Sequence, residues 1–107
     1  MILKLDRNQA ELSASEISTL EEMRTRCARR ILLSTTLSAS GHPGGSLSSL
    51  DMLLVTYGLI NHNPSEPRLA GRDRVVVSIG HISPGVYSTL AEYGYFTEDD
   101  FLSGFRR

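Results

Sequence analysis

Three histidines, His42, His62 and His81, are the side chains of this sequence best suited to exchanging protons near neutral pH. His81 follows the β-branched run Val75-Val76-Val77-Ser78-Ile79 and Gly80, and it precedes the helix-start pair Ser83-Pro84. In open α/β sheets ligands gather beyond the carboxyl ends of strands, and a helix N-terminus favours an anion. That placement makes His81 a candidate for contact with a phosphate group, with a plain turn-capping role as the competing reading. His42 sits in Ser40-Gly41-His42-Pro43-Gly44-Gly45, a stiff loop that would hold an imidazole firmly and let a ligand approach the backbone. A fixed histidine there could exchange protons with substrate hydroxyls. The same Gly-Pro pattern also serves simply to turn a chain between two helices. His62, in Asn61-His62-Asn63-Pro64, reads as structural, its ring bonding backbone in a polar turn.

Other site chemistries find no support in the pattern. The histidines are widely spaced, with no cysteine or carboxylate beside them at zinc spacing, so no metal cluster is expected. Gly44-Gly45 follows a helical stretch and is not a dinucleotide fingerprint, and neither a Walker loop nor a serine elbow occurs.

The elements that must position these residues follow from periodicity. Residues 1–14 read as an extended or frayed lead-in, and residues 15–107 as the body of the domain. Ser13-Ala14-Ser15-Glu16 has the spacing of a capping box. Ile17, Leu20, Arg24, Cys27, Ile31 and Thr35 then recur at helical steps, predicting a long helix from Glu16 to Ala39, ended by Gly41 and Pro43. A second helix is expected from Ser48, with Leu50, Leu53, Leu54 and Tyr57 on its buried face, and a loop from Asn61 to Gly71. Val75–Ile79 is the one convincing strand, of the kind covered on both faces in a parallel sheet. Ser83-Pro84 suggests an N-cap and first helical position, with Tyr87, Leu90 and Ala91 facing inward and Gly94 closing the helix. Thr97-Glu98-Asp99-Asp100 caps a last short helix carrying Phe101, Leu102 and Phe105.

The expected class is therefore α/β, mostly helices around one parallel-type strand. A lone strand leaves donors and acceptors on both edges, so it is expected to pair with strands of other polypeptide.

Composition narrows the function classes. The 107 residues are 40% apolar and 21% charged with formal net charge −1, ordinary for a globular protein and without the basic excess of a nucleic-acid binder. Arg24, Arg26, Arg29 and Arg30 read as the polar back of the first helix, and the single Cys27 as a buried thiol. No membrane span or secretory leader is visible, and a cytoplasmic address is expected by default.

Taken together, Ser40-Gly41-His42-Pro43-Gly44, Asn61-His62-Asn63-Pro64 and Arg72-Asp73-Arg74-Val75-Val76-Val77-Ser78-Ile79-Gly80-His81 resemble the opening of the transketolase family in order and spacing. The resemblance covers residues 16–107, including Phe105-Arg106. Gly80-His81-Ile82-Ser83-Pro84-Gly85-Val86-Tyr87 is instead similar to the homodimeric pyruvate dehydrogenase first component, a relative in the same superfamily. Two motifs against one rank transketolase first.

The resemblance implies the N-terminal part of a thiamine diphosphate-binding fold. It implies that His42 contacts the sugar substrate and assists proton transfer. His81 would contact the cofactor at its diphosphate and thiazolium end, and Gly45 would lie in the loop approaching it. The implied reaction moves a two-carbon ketol unit from a ketose phosphate to an aldose phosphate, with the cofactor supplying the hard chemistry. The family's magnesium is also implied, with its Gly-Asp-Gly ligand motif, a later asparagine, the glutamate that activates the aminopyrimidine and a third histidine all outside these residues. The chain is therefore expected to be inactive alone and to work in an oligomer, with remaining transketolase segments or a complementary subunit. A gene fragment and a non-catalytic helical interaction module are the alternatives, the second leaving His42 and His81 unexplained.

Overall fold

The chemistry of helix ends accounts for much of the architecture in the computed structural model, which describes residues 3–38 and 43–104. Helix α1 spans Ala14–Ser38, α2 Pro43–Leu59, α3 Ser83–Glu92 and α4 Glu98–Gly104. A 3-10 turn over Gly80–Ile82 leads into α3. At the start of α1 the Glu16 amide donates to Ser13 Oγ at 3.1 Å, and the Ser13 amide donates to Glu16 Oε1 at 2.8 Å, the reciprocal bonds of a capping box. The same device opens α4, where the Asp100 amide donates to Thr97 Oγ1 at 3.1 Å and the Thr97 amide to Asp100 Oδ2 at 3.3 Å. Gly94, at φ +93°, ends α3 in a Schellman arrangement: the Tyr95 amide reaches Leu90 O and the Gly94 amide reaches Ala91 O.

The core lies where α1, α2 and α3 pack on one another, with α4 against α1 and α3. Met23, Cys27 and Ile31 of α1 meet Leu50 and Leu54 of α2 and Tyr93 after α3. Tyr93 is buried yet satisfied, its hydroxyl donating to Leu54 O at 2.7 Å, and burial pushes its phenol well above the usual range. Cys27 is fully buried, as expected of a structural thiol, and burial likewise pushes it up. The buried face of α3 is made of small residues, Gly85, Ser88 and Thr89, whereas Tyr87 is 45% exposed and does not face inward as its size suggested. Small side chains let α3 approach α1 closely enough for Ser88 Oγ to donate to Cys27 O at 3.1 Å.

Arg30 departs from the expectation of a polar back on α1. Its side chain is 11% exposed, and it donates to Glu92 Oε1 at 2.7 Å and to Glu98 Oε1 at 3.0 Å. Arg26 adds a bidentate pair to Glu92, and Arg29 a bond to Glu98 at 3.0 Å, so three arginines of α1 bind the ends of α3 and α4. Burial pushes the Glu92 carboxyl up, but the bonds and charges of Arg26 and Arg30 outweigh it and hold the group below the usual carboxylate range.

Two further expectations are corrected. Helix α2 begins at Pro43, not Ser48, because proline suits the first helical position and Gly44-Gly45 continues the helix instead of ending a loop. Ser48 lies inside the helix and bonds back to Gly45 O at 3.1 Å. The strand expected over 75–79 does not form among the described residues, so the α/β layer is not completed there and the architecture is helical. The segment is still extended where it ends, with Ile79 at φ −115° and ψ 106°. It lies bare, however, with Val76 85% and Ile79 54% exposed. β-branched residues favour extended backbone, but a strand exists only as part of a ladder, and no neighbour is present to supply one.

Of the lead-in, residues 3–12 are described, and they run against the helices. Leu5 is buried against Gly58 of α2, and its amide donates to Gly58 O at 2.7 Å.

Candidate functional site

The first turns of α2 and α3 come together. Ser46 is fully buried there, and its Oγ accepts the Gly85 amide at 3.0 Å. A side chain at Gly85 would meet Ser46 Cα and O at 3.3 Å, so this contact depends on the absence of a Cβ. One residue earlier in α2, a Cβ at Gly45 would stand 3.5 Å from Ile82 Cγ2, an ordinary contact. Gly45 is thus beside the 3-10 turn that carries His81, and His81 itself is exposed on the surface of that turn. The structure therefore brings two of the sequence candidates, Gly45 and the His81 turn, to one place. His42 belongs to residues 39–42, which lie outside the described residues.

The electrostatics of this place differ from those of the other helix starts. Helix α1 carries Glu16 in its first turn, and α4 carries Glu98, Asp99 and Asp100. Neither α2 nor α3 has an acidic residue in its first turn, and α3 has no side-chain cap bond. The positive ends of these two helix dipoles thus have no carboxylate on their own first turns. Gly44 and Gly45 are exposed, and a Cβ at Gly44 would meet no atom within 4 Å. An anionic group could approach this backbone without displacing a side chain.

His62 keeps the structural role read from its loop. Its Nε2 lies 2.8 Å from Tyr57 O, and its Nδ1 lies 2.6 Å from the Tyr95 hydroxyl. A carbonyl oxygen only accepts, so Nε2 carries a proton and donates it to Tyr57 O. The ring stacks on Tyr95 at 12° and meets Tyr57 and Tyr93 edge-on, which removes it from surface chemistry.

Sequence reasoning missed Ser46 and Gly85. Their signal was the spacing of Gly85, Ser88 and Thr89, small residues at three- and four-residue steps on one helix face. No group of three or more His, Cys, Asp or Glu side chains converges to hold a metal among the described residues. No helix of the described residues is long and apolar enough to cross a membrane.

The family described as transketolase, thiamine diphosphate binding domain, matches residues 24–107. Transketolase 2 of Vibrio vulnificus strain CMCP6 is 46% identical over 69 residues, which are 64% of this chain and 10% of that protein. Over stretches of the same length and coverage, transketolase 1 of Vibrio cholerae serotype O1 is 44% identical and transketolase 1 of Aliivibrio fischeri 41% identical. The matched part spans about a tenth of the length of these curated relatives. No solved structure matches the chain.

Proposed function

Since the chain belongs to the transketolase family, through its thiamine diphosphate binding domain, we propose that it furnishes one wall of a thiamine diphosphate site and the start of the sugar-binding surface beside it. The observation that carries this reading is the meeting of two acid-free helix starts at Gly45 and the His81 turn. The residues present suit one end of a diphosphate: exposed backbone of Gly44 and Gly45, and an imidazole on the neighbouring turn. Among the described residues no set of acidic side chains converges as a magnesium cradle, and in this reading the oxygen ligands come from other polypeptide.

Each residue has a task within that reading. The first-turn amides of α2 hold phosphate oxygens, and His81 donates a hydrogen bond at the diphosphate end. His42, one residue before α2, holds and relays a proton at a substrate hydroxyl. When bound, thiamine diphosphate supplies the carbon–carbon bond chemistry that moves a two-carbon unit between sugar phosphates. The bare segment 75–79 pairs with a strand of the completing polypeptide, as either the remaining transketolase segments or a complementary subunit, which restores the α/β sheet and fixes His81 at its edge.

Titration calorimetry with thiamine diphosphate and magnesium tests this. Weak binding by the chain alone is expected, with micromolar binding only after a completing polypeptide is added. Micromolar binding by the chain alone would overturn the shared-site reading. The completed assembly should turn over a ketose phosphate and an aldose phosphate and leave pyruvate untouched. Turnover of pyruvate instead would transfer the chain to the oxoacid branch of the superfamily, to which Gly80–Tyr87 leans.

A further inference from the structure

The lead-in lies ahead of the residues that match the family, which begin at residue 24, and it is built into the fold by specific bonds. Leu5 fills a socket at Gly58, where a Cβ would come within 2.9 Å of Leu5 Cδ1 and 3.2 Å of the Tyr93 hydroxyl. Arg7 Nε donates to Leu59 O at 2.7 Å, satisfying a carbonyl at the end of α2. The other arm of Arg7 pairs with Asp73. Asp73 in turn closes the base of the loop between α2 and the extended segment: its Oδ2 accepts the Asn61 amide at 2.7 Å, and its own amide donates to Asn61 O at 2.7 Å. Asn61 Nδ2 reaches Gly71 O at 3.0 Å across the same base. At its far end the lead-in is tied to the start of α1, where Gln9 Nε2 donates to Glu16 Oε1 at 2.9 Å.

We propose that residues 3–12 act as a strap that latches the base of the 61–73 loop through Arg7, and so fixes where the segment leading to His81 leaves the helical body. The contacts have the layout such a device needs. Both ends of the strap are anchored on helices, at Gly58 of α2 and Glu16 of α1. Between them one guanidinium joins a helix end to the residue from which the bare segment departs. The Arg7 and Asp73 side chains are 58% and 41% exposed, so the latch is weak enough to open while the helices stay folded. Beyond Asp73 the segment 74–79 makes no ladder of its own, which leaves its origin as the point where its path is set.

Hydrogen exchange of the full chain, read by mass spectrometry, tests the strap. In Arg7→Ala, the amides of Asn61 and Asp73 should exchange about fivefold faster or more, while those of Cys27 and Ile31 in the core keep their parent rates. Leu5→Ala should do the same by emptying the socket. Limited trypsin digestion gives a second readout, with cleavage after Arg72 and Arg74 expected to quicken in both variants. Unchanged exchange at Asn61 and Asp73 in Arg7→Ala would overturn the proposal. So would an equal rise across every helix, because that would make Arg7 a general stabiliser and not a latch.

Discussion

The two ends of the helical layer are built on opposite electrostatic plans. Where α1, α3 and α4 meet, Arg26, Arg29 and Arg30 face Glu92 and Glu98, and α4 opens on a capping box. Where α2 and α3 begin, the helix starts carry no acid, and their contact is made by Ser46 and Gly85. The first end spends its polar groups on holding the fold. The second carries no carboxylate on either first turn. A helix start without its own carboxylate is therefore informative here because the same chain supplies carboxylates elsewhere.

Removing Glu92 should break the first plan most severely. Glu92→Gln removes one of the two carboxylates on the buried Arg30, leaving Glu98, and a loss of about 1.5–3 kcal/mol in urea unfolding is expected. The parent chain should also lose stability in acid. The Glu92 carboxyl sits below its unfolded value, so its contribution is full above about pH 4.3 and is lost as pH falls through the depressed folded value. A pH series of unfolding midpoints should show this acid-dependent fall in the parent and a smaller one in Glu92→Gln. Equal slopes would remove Glu92 as the origin.

The second plan is next in size. Gly85→Val would drive a side chain into Ser46 backbone at 3.3 Å and should cost about 1–3 kcal/mol through overpacking. Ser46→Ala leaves the Gly85 amide without its acceptor, and thermal unfolding should register a loss of about 1 kcal/mol.

Two small changes sharpen the comparison by separating stability from binding. Gly45→Ala meets Ile82 at an ordinary 3.5 Å and should stabilise α2 by about 0.5–1 kcal/mol, yet weaken binding of thiamine diphosphate to the completed assembly. Gly44→Asp gives α2 the acid that α1 and α4 already have. It should stabilise the helix by about 0.3–1 kcal/mol and repel the diphosphate. If Gly44→Asp left cofactor affinity at the parent value, the acid-free start would have no bearing on binding.

What the sequence disclosed, and what it hid, follows the range of each interaction. The boxes at Ser13–Glu16 and Thr97–Asp100 and the stop at Gly94 are settled within a few residues, and each formed where expected. The buried face of α2 was equally legible from Leu50, Leu53 and Leu54. Arg30 was not, because its partners Glu92 and Glu98 lie more than 60 residues away and charge alone argues for exposure. The start of α2 was misplaced because Gly44-Gly45 is poor helix sequence that tertiary contact with Ile82 and Gly85 overrides. Val75–Ile79 has the composition of a strand, but composition cannot provide the neighbouring chain that turns extended backbone into a sheet. Of the candidate site, His81 was proposed from its place after the β-branched run and Gly45 from the family resemblance, whereas the Ser46–Gly85 contact beside them needed coordinates.

The sealed position of His62 gives the protein an internal control. An imidazole-acylating reagent such as diethyl pyrocarbonate needs an accessible ring nitrogen. Both nitrogens of His62 are engaged beneath a tyrosine face, while His81 stands at the surface. In one labelling experiment the silent His62 ring thus certifies that the fold stayed intact throughout.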